Sequence, residues 1–266
     1  QSSDTGDIFL SDPSGFNLDS ICRNLGDKIK GVYDSPQKLL EDNQVDLAII
    51  DTSPIKTPPF ARVALEAGVH VIVEKPAATS PALYAELVDI AERNGLILAM
   101  SLIEGVLARE ASRIVSEGVL GRIYGINYMW MDYQRWRRRD TMDWVYSKND
   151  AGGGMLGHEF CHAVHRMRRM VGKEVSEVTG FADVVSGEPL EVEDSISMSM
   201  RFVDGSIGTL HGGSWGPSVE KITPQSRRAL LHTFNIWGEK GALHGSIDEN
   251  RLISDIQYED PAVSGE

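Results

Sequence analysis

The sequence is poor in the features that mark several classes of protein. Its 266 residues include only two cysteines, Cys22 and Cys161, which lie far apart and indicate no disulfide framework. No apolar stretch approaches the roughly 18 to 20 residues that a membrane-spanning helix needs, so no membrane partner is expected. Basic residues are also scarce, since 26 Lys and Arg against 39 Asp and Glu give a net charge of −13. So acidic a surface repels phosphate backbones and argues against a nucleic-acid partner.

The remaining composition is that of an ordinary globular protein, with 41% hydrophobic and 24% charged residues. This length supports one large domain or two of moderate size. The basic cluster RWRRR at 135–139 is interpreted as a solvated or substrate-facing loop, because nothing else basic surrounds it. No signal peptide is recognised, although the chain opens on Gln1 rather than Met, and we expect a cytoplasmic protein.

The first hundred residues alternate strand and helix signals. A short apolar run lies at 7–12, and the β-branched runs at 45–53 and 69–76 are apolar on consecutive positions, as in a parallel sheet covered on both faces. Of the helices between them, one ends at Gly68 and another begins with Ser80 as its N-cap. The alternation predicts a doubly wound α/β domain.

From about residue 104 the pattern changes to alternating, β-rich segments. The dipeptides Asp204-Gly205 and Lys240-Gly241 lie where hairpin turns belong. One clear helix is predicted at 156–171. The sequence therefore predicts two domains, an α/β domain at 1–103 and an α+β domain at 104–266 with a large, mostly antiparallel open sheet.

The segment HEFCH at 158–162 matches the H-E-x-x-H pattern of zinc metallopeptidases, with His158 and His162 as ligands and Glu159 as general base. His165 cannot complete such a site, because it lies about 10.5 Å along a helix from His158. Glu174 or Glu177 stays open as a third ligand. We keep a zinc peptidase as the less favoured alternative and expect no metal.

Five segments of the chain follow one another in an order that is typical of one enzyme family. They are SDP at 11–13, EKP at 74–76, GVLGRI at 118–123, GGGMLGHEFCH at 152–162, and EDSISMSMRFVDGSIGTL at 193–210 with WGEKGAL at 237–243. Together they resemble the Gfo/Idh/MocA family of NAD(P)-dependent sugar and cyclitol oxidoreductases. The resemblance implies a Rossmann-like domain, a second domain for substrate binding and oligomerisation, and a cleft that holds NAD(H) and a polyol. It also implies a homo-oligomer, either a dimer or a tetramer.

The chain departs from the family pattern at several points. It lacks the opening strand with its G-x-G-x-x-G turn and the closing helix, so we interpret it as a fragment with an incomplete Rossmann-like sheet. Such a fragment is expected to bind dinucleotide poorly. Ser53, Pro54 and Thr57 replace most of the family's T-P-N-x-x-H stretch, of which Thr52 is kept. His158 stands at the family's usual Asp, whereas His162 matches its His.

The resemblance assigns catalytic roles to Lys75, His162 and His158. An ammonium at Lys75 would stabilise a developing alkoxide and lower the pKa of the substrate hydroxyl. His162 would move the proton, since imidazole titrates near neutral pH. His158 would orient the sugar.

The cofactor is expected to be NAD, with NADP left open. Asp12, which ends a predicted strand, is placed to accept hydrogen bonds from the adenosine ribose and to repel a 2′-phosphate. Thr52, Ser53, Glu74 and Lys75 complete the predicted cofactor-binding set. Separately, Tyr128, Trp136 and Trp144 either stack on a sugar ring or pack in the core, and both interpretations stay open.

We therefore expect an NAD(P)-dependent oxidoreductase that transfers a hydride between nicotinamide and a secondary hydroxyl of a sugar or cyclitol. Two alternatives remain beside the zinc peptidase. An NAD-dependent glycoside hydrolase would use the same hydride step on the same fold. A non-catalytic binding module would follow if the natural chain starts near Gln1.

Overall fold

The fold comes from a computed structural model, which describes residues 6–12, 14–15, 18–132, 143–214, 231–247 and 251–256. The chain divides into two compact units, Gln1–Ser101 and Leu102–Glu266, and each is described by itself. The basic cluster at 135–139 and Trp136 lie outside the described residues. Within the described ranges, no helix is long and apolar enough to cross a membrane.

The first unit alternates strands and helices. Its strands are β1 Ile8–Ser11, β2 Ile29–Tyr33, β3 Leu47–Ile50, β4 His70–Val73 and β5 Leu98–Met100. Its helices are α1 Leu18–Leu25, α2 Pro36–Asp42, α3 Thr57–Glu66 and α4 Pro81–Arg93. All strand pairs are parallel, in one sheet of order β1-β2 and a second of order β3-β4-β5. The predicted Rossmann-like parallel arrangement is confirmed, although β2, α1 and α2 were not predicted.

The core of the first unit lies between β3, β4 and β5 and the helices α3 and α4. Val71 and Val73 of β4 and Leu87 of α4 are completely buried. Complete burial of one such side chain contributes about 1.5–3 kcal/mol to folding. Helix α4 begins where predicted, because the Ser80 Oγ accepts a hydrogen bond from the Leu83 N–H.

The second unit is built on a seven-stranded sheet. Its strands are β6 Ile123–Met131, β7 Val175–Asp183, β8 Ser195–Phe202, β9 Ile207–Gly213, β10 Leu231–Gly238, β11 Gly241–Ser246 and β12 Arg251–Ile256. Its α-helices are α5 Val106–Ser116, α6 Lys148–Ala151 and α7 Cys161–Val171. The strand order is β12-β11-β10-β6-β9-β8-β7, and the β6–β9 pair is parallel while the other pairs are antiparallel. The predicted, mostly antiparallel sheet is confirmed.

The predicted helix at 156–171 is present, but it is not uniform. Its first turn, Leu156–Phe160, is a π-helix, and the regular α-helix α7 follows directly. Helix α5, which packs against α7, was not predicted. Single-turn π segments inside helices are uncommon and frequently occur at functional sites.

One face of the seven-stranded sheet packs against α7, and the other face carries no helix among the described residues. Strand β8 shows the alternation that results. It buries Ile196, Met198, Met200 and Phe202 in the core, and it exposes Ser197, Ser199 and Arg201 on the opposite side. The site residues of this unit lie on the covered side.

Candidate active-site residues in the two units

Lys75 follows the end of β4, at the carboxyl edge of the three-stranded sheet. The Glu74 N–H donates to Ile50 O of the neighbouring strand at 2.9 Å, and the Lys75 N–H donates to the Glu74 carboxylate at 2.8 Å. The Lys75–Pro76 peptide bond is cis. Because the carboxyl ends of parallel strands meet at one edge, Thr52 and Ser53 after β3 come to the same edge. The structure therefore brings together four of the five predicted cofactor-binding residues.

The turn after β3 is held by Thr57, a residue that departs from the family pattern. Its buried hydroxyl donates to Ser53 O at 3.2 Å, and its N–H donates to the same oxygen at 3.1 Å. These bonds fix the Thr52–Ser53 backbone at the start of α3. Thr57 thus shapes the loop through its own hydrogen bonds.

Asp12 lies at the end of β1, on the other sheet of the first unit. The N–H and Oγ of Ser14 donate to the Asp12 Oδ1 at 2.8 and 2.6 Å, and the Gly15 N–H donates to Asp12 O. This turn orients the carboxylate at the carboxyl edge of its strand. The neighbouring Ser11 Oγ is enclosed and makes no hydrogen bond to the described residues.

In the second unit, Glu193 fixes the segment that leads into the HEFCH helix. Its carboxylate accepts hydrogen bonds from the N–H groups of Gly154 at 2.8 Å and Leu156 at 3.1 Å. The Met155 N–H donates to the Glu193 carbonyl at 3.1 Å. A negative charge is favourable at a helix N-terminus, where N–H groups lack intrahelical partners. Glu193 was not predicted as a site residue.

His158, Glu159 and His162 are all buried, with 6%, 7% and 3% of their surfaces exposed. His158 lies in the π turn, where its Nε2 is 3.4 Å from the Glu159 Oε1 and its ring stands edge-on to Trp144. His162 lies in the first turn of α7. His158 and His162 thus lie on one continuous helix, which changes from a π turn to a regular α-helix between them.

His162 is tied to the segment that follows the first unit. Its Nδ1 accepts a hydrogen bond from the Ile103 N–H at 3.1 Å. One turn later on α7, the buried Arg166 donates from Nε to the carbonyl oxygens of Ile103 at 2.9 Å and Glu104 at 3.0 Å. The helix therefore holds both the donor and the acceptor groups of this short segment.

The same arginine reaches two side chains of the sheet. Its Nη1 donates to the Tyr128 Oη at 2.9 Å and lies 3.0 Å from the His232 Nε2, while Tyr128 Oη and His232 Nε2 are 2.6 Å apart. Burial, together with the Arg166 charge, lowers the pKa of His232 to about 3. His232 is therefore neutral near pH 7 and stacks on Trp130 at 4.2 Å.

The aromatic residues of the second unit separate into two groups. Tyr128 is fully buried in this network, so it packs in the core. Trp144 is partly buried beside His158, where its ring is available to line a site.

The two candidates for a third zinc ligand lie apart from the histidines in exposed ion pairs. Glu174 pairs with Arg168, and Glu177 pairs with Arg201. In the part of the chain that the structure describes, no group of three or more His, Cys, Asp or Glu side chains is placed to hold a metal ion.

A small cavity of about 20 Å³ lies against His158. Tyr146, Asp194 and Ser214 contribute polar groups to its lining. About 10–15 Å³ suffices for one water molecule, so the cavity accepts one group of the size of a hydroxyl. A wider depression of about 270 Å³, lined in part by Lys148, Asp183 and Glu191, contains none of the predicted catalytic residues.

Comparison with family models decides the family. Residues 10–102 match the model described as "Oxidoreductase family, NAD-binding Rossmann fold", and residues 108–244 match the "GFO/IDH/MocA C-terminal domain". The chain belongs to the GFO/IDH/MocA family. Its first unit is the NAD-binding Rossmann-fold domain of that family.

The chain is also similar to curated proteins and to solved structures. The chain is 25% identical over 231 residues to levoglucosan dehydrogenase of Pseudarthrobacter phenanthrenivorans, covering 78% of this chain and 57% of that protein. It is 25% identical over 184 residues to 1,5-anhydro-D-fructose reductase of Ensifer adhaerens, covering 66% and 53%. The chain thus spans little more than half the length of these relatives.

Among solved structures, the WlbA dehydrogenase from Bordetella pertussis in complex with NADH and UDP-GlcNAcA superposes with a TM-score of 0.82 at 20% identity. The match covers 96% of this chain and 76% of that one. Levoglucosan dehydrogenase in complex with NADH and levoglucosan gives a TM-score of 0.76 at 19% identity, covering 96% and 71%. At this identity the likeness concerns the fold.

The residues of the first unit are compatible with a bound dinucleotide. A ribose hydroxyl can donate to the Asp12 carboxylate, and the enclosed Ser11 hydroxyl offers a further polar atom at the same strand end. Thr52, Ser53, Glu74 and Lys75 bring further polar groups to the edge of the three-stranded sheet, where a cofactor could contact them.

Proposed function

We propose that the protein is an NAD-dependent oxidoreductase that interconverts a secondary alcohol of a sugar or cyclitol and the corresponding ketone. The supporting observation is that both halves match models of one oxidoreductase family. Lys75 and His162 are the residues to which the family resemblance assigns catalytic roles. Bound NAD would supply the hydride acceptor for the carbinol carbon in oxidation, and bound NADH the hydride donor in reduction. The hydroxyl proton is left for side chains of the protein.

Lys75 and His162 are the residues we propose for that proton and for the charge on the reacting oxygen. The backbone at Lys75 is held by the Glu74 carboxylate, at the sheet edge where ligands of open α/β sheets bind. His162 is a buried imidazole on α7. Both groups can form charge-assisted or neutral hydrogen bonds to an oxygen as it changes between hydroxyl and carbonyl.

His158 is proposed to bind a substrate hydroxyl. It lines the hydroxyl-sized cavity, and Trp144 stands edge-on beside it. An aspartate, the family's usual residue, carries a fixed negative charge, whereas a histidine can donate or accept a hydrogen bond. We expect this exchange to alter substrate preference.

We propose sugars, and anhydro sugars first among them, as the substrates to examine. Two curated relatives are named for such compounds, levoglucosan dehydrogenase and 1,5-anhydro-D-fructose reductase. We propose NAD rather than NADP because the Asp12 carboxylate would repel a 2′-phosphate. The compartment that we propose is the cytoplasm.

We also propose that the protein is a homo-oligomer that pairs through the uncovered face of its seven-stranded sheet. A row of polar side chains crosses this face on neighbouring strands. It consists of His244, Asn235, Asn127, Thr209, Ser199 and Thr179, which are paired in register. Phe181 is 86% exposed on the same face. A measured molar mass equal to one chain at micromolar concentration would contradict this proposal.

The activity is tested by following NADH formation with the protein made from its complete coding sequence. The substrates are a panel of sugars, anhydro sugars and inositols, each assayed with NAD and with NADP. Lys75→Ala and His162→Ala should each lower kcat/KM by about 10²-fold or more. Lys173→Ala changes an exposed lysine of the second unit and should leave the rate unchanged.

The outcomes separate the alternatives. Full activity in Lys75→Ala would contradict its assignment. Release of the aglycone from an aryl glycoside only when NAD is added would favour an NAD-dependent glycoside hydrolase over a dehydrogenase. Peptide cleavage that is lost on chelation of zinc would favour a zinc peptidase over both of these enzymes.

A further inference from the structure

A buried polar network joins α7 to the sheet and to the segment at the start of the second unit. Its members are Ile103, Glu104, Tyr128, His162, Arg166 and His232. Arg166, Tyr128 and His232 lie outside every motif that carried the family resemblance. Their arrangement bears on the protonation form of His162.

The hydrogen bond to His162 fixes which of its ring nitrogens carries the proton. The Ile103 N–H is always a donor, and it points at the Nδ1 of His162 at 3.1 Å. An Nδ1 that accepts this bond carries no proton, so in the neutral ring the proton is on Nε2. Protonation of Nδ1 would set two donors against each other and leave the amide without its acceptor.

The position of the Ile103 N–H depends on Arg166. The Nε of Arg166 donates to the carbonyl oxygens of Ile103 and Glu104. These carbonyls belong to the residue that carries the N–H and to the residue after it. This segment belongs to no helix or strand, so regular backbone hydrogen bonds do not hold it in place. A buried guanidinium that bridges two successive carbonyls keeps the segment, and its N–H, in one position.

The other end of Arg166 is held in turn by the sheet. His232 is neutral near pH 7, and its Nε2 lies near two donors, the Arg166 Nη1 and the Tyr128 hydroxyl. The Tyr128 hydroxyl oxygen accepts a hydrogen bond from Arg166, and its O–H donates to the His232 Nε2. Strands β6 and β10 therefore act as a rigid support for the guanidinium.

We propose that Arg166 is a positioning residue that, through the Ile103–Glu104 segment, holds His162 in the tautomer with its proton on Nε2. The inference rests on the proposed function for its chemical meaning, although the geometry stands independently. Among the charged or titratable groups near His162 are Arg166, one turn later on α7, and His232 on β10, whose pKa the His162 charge also lowers. Of these, Arg166 alone bonds both carbonyls of that segment among the described contacts.

The consequence is a division of roles at the reacting oxygen. With Nε2 already protonated, His162 acts as a hydrogen-bond donor that stabilises negative charge on the substrate oxygen. The hydroxyl proton that leaves as the carbonyl forms therefore passes to a group other than His162, and it returns from that group in the reverse direction.

The test reads the His162 ring directly by NMR. The protein is labelled with ¹⁵N at histidine, and long-range ¹H–¹⁵N correlations report whether each ring nitrogen is protonated. His162→Gln identifies the signals by their loss. At pH 7, without cofactor or sugar, we expect an unprotonated Nδ1 and a protonated Nε2 for His162 in the unsubstituted protein.

Three variants then test the role of Arg166. Arg166→Lys keeps the charge but cannot bond the Ile103 and Glu104 carbonyls and the Tyr128 hydroxyl together. Tyr128→Phe removes the hydroxyl that accepts from Arg166 and leaves the residues of α7 unchanged. Both should convert the single His162 form into a mixture of tautomers and lower kcat about 10- to 100-fold with little change in KM. Arg169→Met is the matched control, because exposed Arg169 contacts the same segment only through the Glu104 carboxylate. It should leave both the spectrum and the rate unchanged.

The outcomes distinguish this inference from the proposed function. A protonated Nδ1 of His162 in the unsubstituted protein would overturn the inference, whether or not the protein oxidises sugars. An unaltered His162 spectrum in a folded Arg166→Lys protein would overturn the role of Arg166. If no sugar is oxidised but the spectra behave as expected, the positioning stands and the proposed function fails.

Discussion

The carboxylate of Glu193 caps the N-terminus of the HEFCH helix by accepting hydrogen bonds from the N–H groups of Gly154 and Leu156. The contact is close, because a Cβ added at Gly154 would clash with the Glu193 carbonyl oxygen. Gly154, the last glycine of the GGG motif, thus has a steric reason in this chain. It lets the backbone of the loop before β8 lie directly against the helix that carries His158 and His162.

The first prediction concerns this close approach. Gly154→Ala should lower the free energy of unfolding of the second unit by about 1–3 kcal/mol, because either the loop or the helix start must move. Gly153→Ala is the matched control, since its added Cβ would meet its nearest atom at 3.9 Å. Urea denaturation followed by tryptophan fluorescence measures both. Equal destabilisation by the two substitutions would contradict the steric explanation.

A second prediction concerns the carboxylate itself. Glu193→Ala leaves two helix-start N–H groups without acceptors and should cost about 1–2 kcal/mol of stability. It should also shift His158, which lies in the turn that these bonds begin. Glu177→Ala removes an exposed carboxylate paired with Arg201 and should cost less than about 0.5 kcal/mol. Thermal unfolding of the two variants, side by side, checks the difference.

The buried His232 predicts a pH dependence of stability. Its pKa is about 3 in the folded protein, below the ordinary value of 6.5, because burial and Arg166 disfavour the charged ring. The unfolded chain therefore binds the additional proton between these values. The contribution of His232 to the free energy of unfolding is therefore complete above about pH 6.5. It is lost as the pH falls toward 3, by up to about 1.4 kcal/mol per pH unit.

The measurement compares the protein with His232→Gln from pH 7 to 5, above the range in which exposed carboxylates titrate. Between these pH values the unsubstituted protein should lose more stability than the variant. His165, whose pKa burial also lowers, is present in both proteins and cancels in the comparison. Parallel pH curves would show that His232 is not responsible.

A fourth prediction concerns the choice between dinucleotides. Asp12→Ser removes the carboxylate that Ser14 orients at the end of β1, and with it the repulsion of a 2′-phosphate. The ratio of NADP to NAD efficiency should rise about tenfold, a change of roughly 1.4 kcal/mol. Asp27→Ser, an exposed acid of the same unit, should leave the ratio as it is. An unchanged ratio in Asp12→Ser would remove Asp12 from the proposed cofactor set.

Sequence patterns predicted the elements whose signals are local. The β-branched runs at 45–53 and 69–76 gave β3 and β4, and Ser80 gave the start of α4, because strand burial and capping act over a few residues. Helix α5 was missed although Ala108 and Ala111 repeat on its buried face. It lies at the border where an α/β pattern gives way to a β-rich one, and small residues mark a helix face weakly.

The candidate residues proposed from the sequence come from short motifs, whereas residues that support them through distant contacts were missed. Lys75, His158 and His162 belong to contiguous segments. Glu193 lies 39 residues from Gly154, Arg166 lies 63 residues from Ile103, and Tyr128 lies 104 residues from His232. Such contacts are set by the sheet order, and no local pattern encodes them. The π turn at 156–160 likewise had no recognisable sequence signal.

The strand order of the second unit also has a consequence for biosynthesis. The central strand β6 pairs with β9 in parallel and with β10 in antiparallel orientation. Strand β10 leaves the ribosome about a hundred residues after β6. Until β10 emerges, β6 presents an unpaired edge that includes Tyr128 and Trp130, and unpaired edges are where chains aggregate. Nascent chains that stop before residue 231 should therefore depend on chaperones, whereas the first unit can acquire its parallel strand pairs much earlier in synthesis.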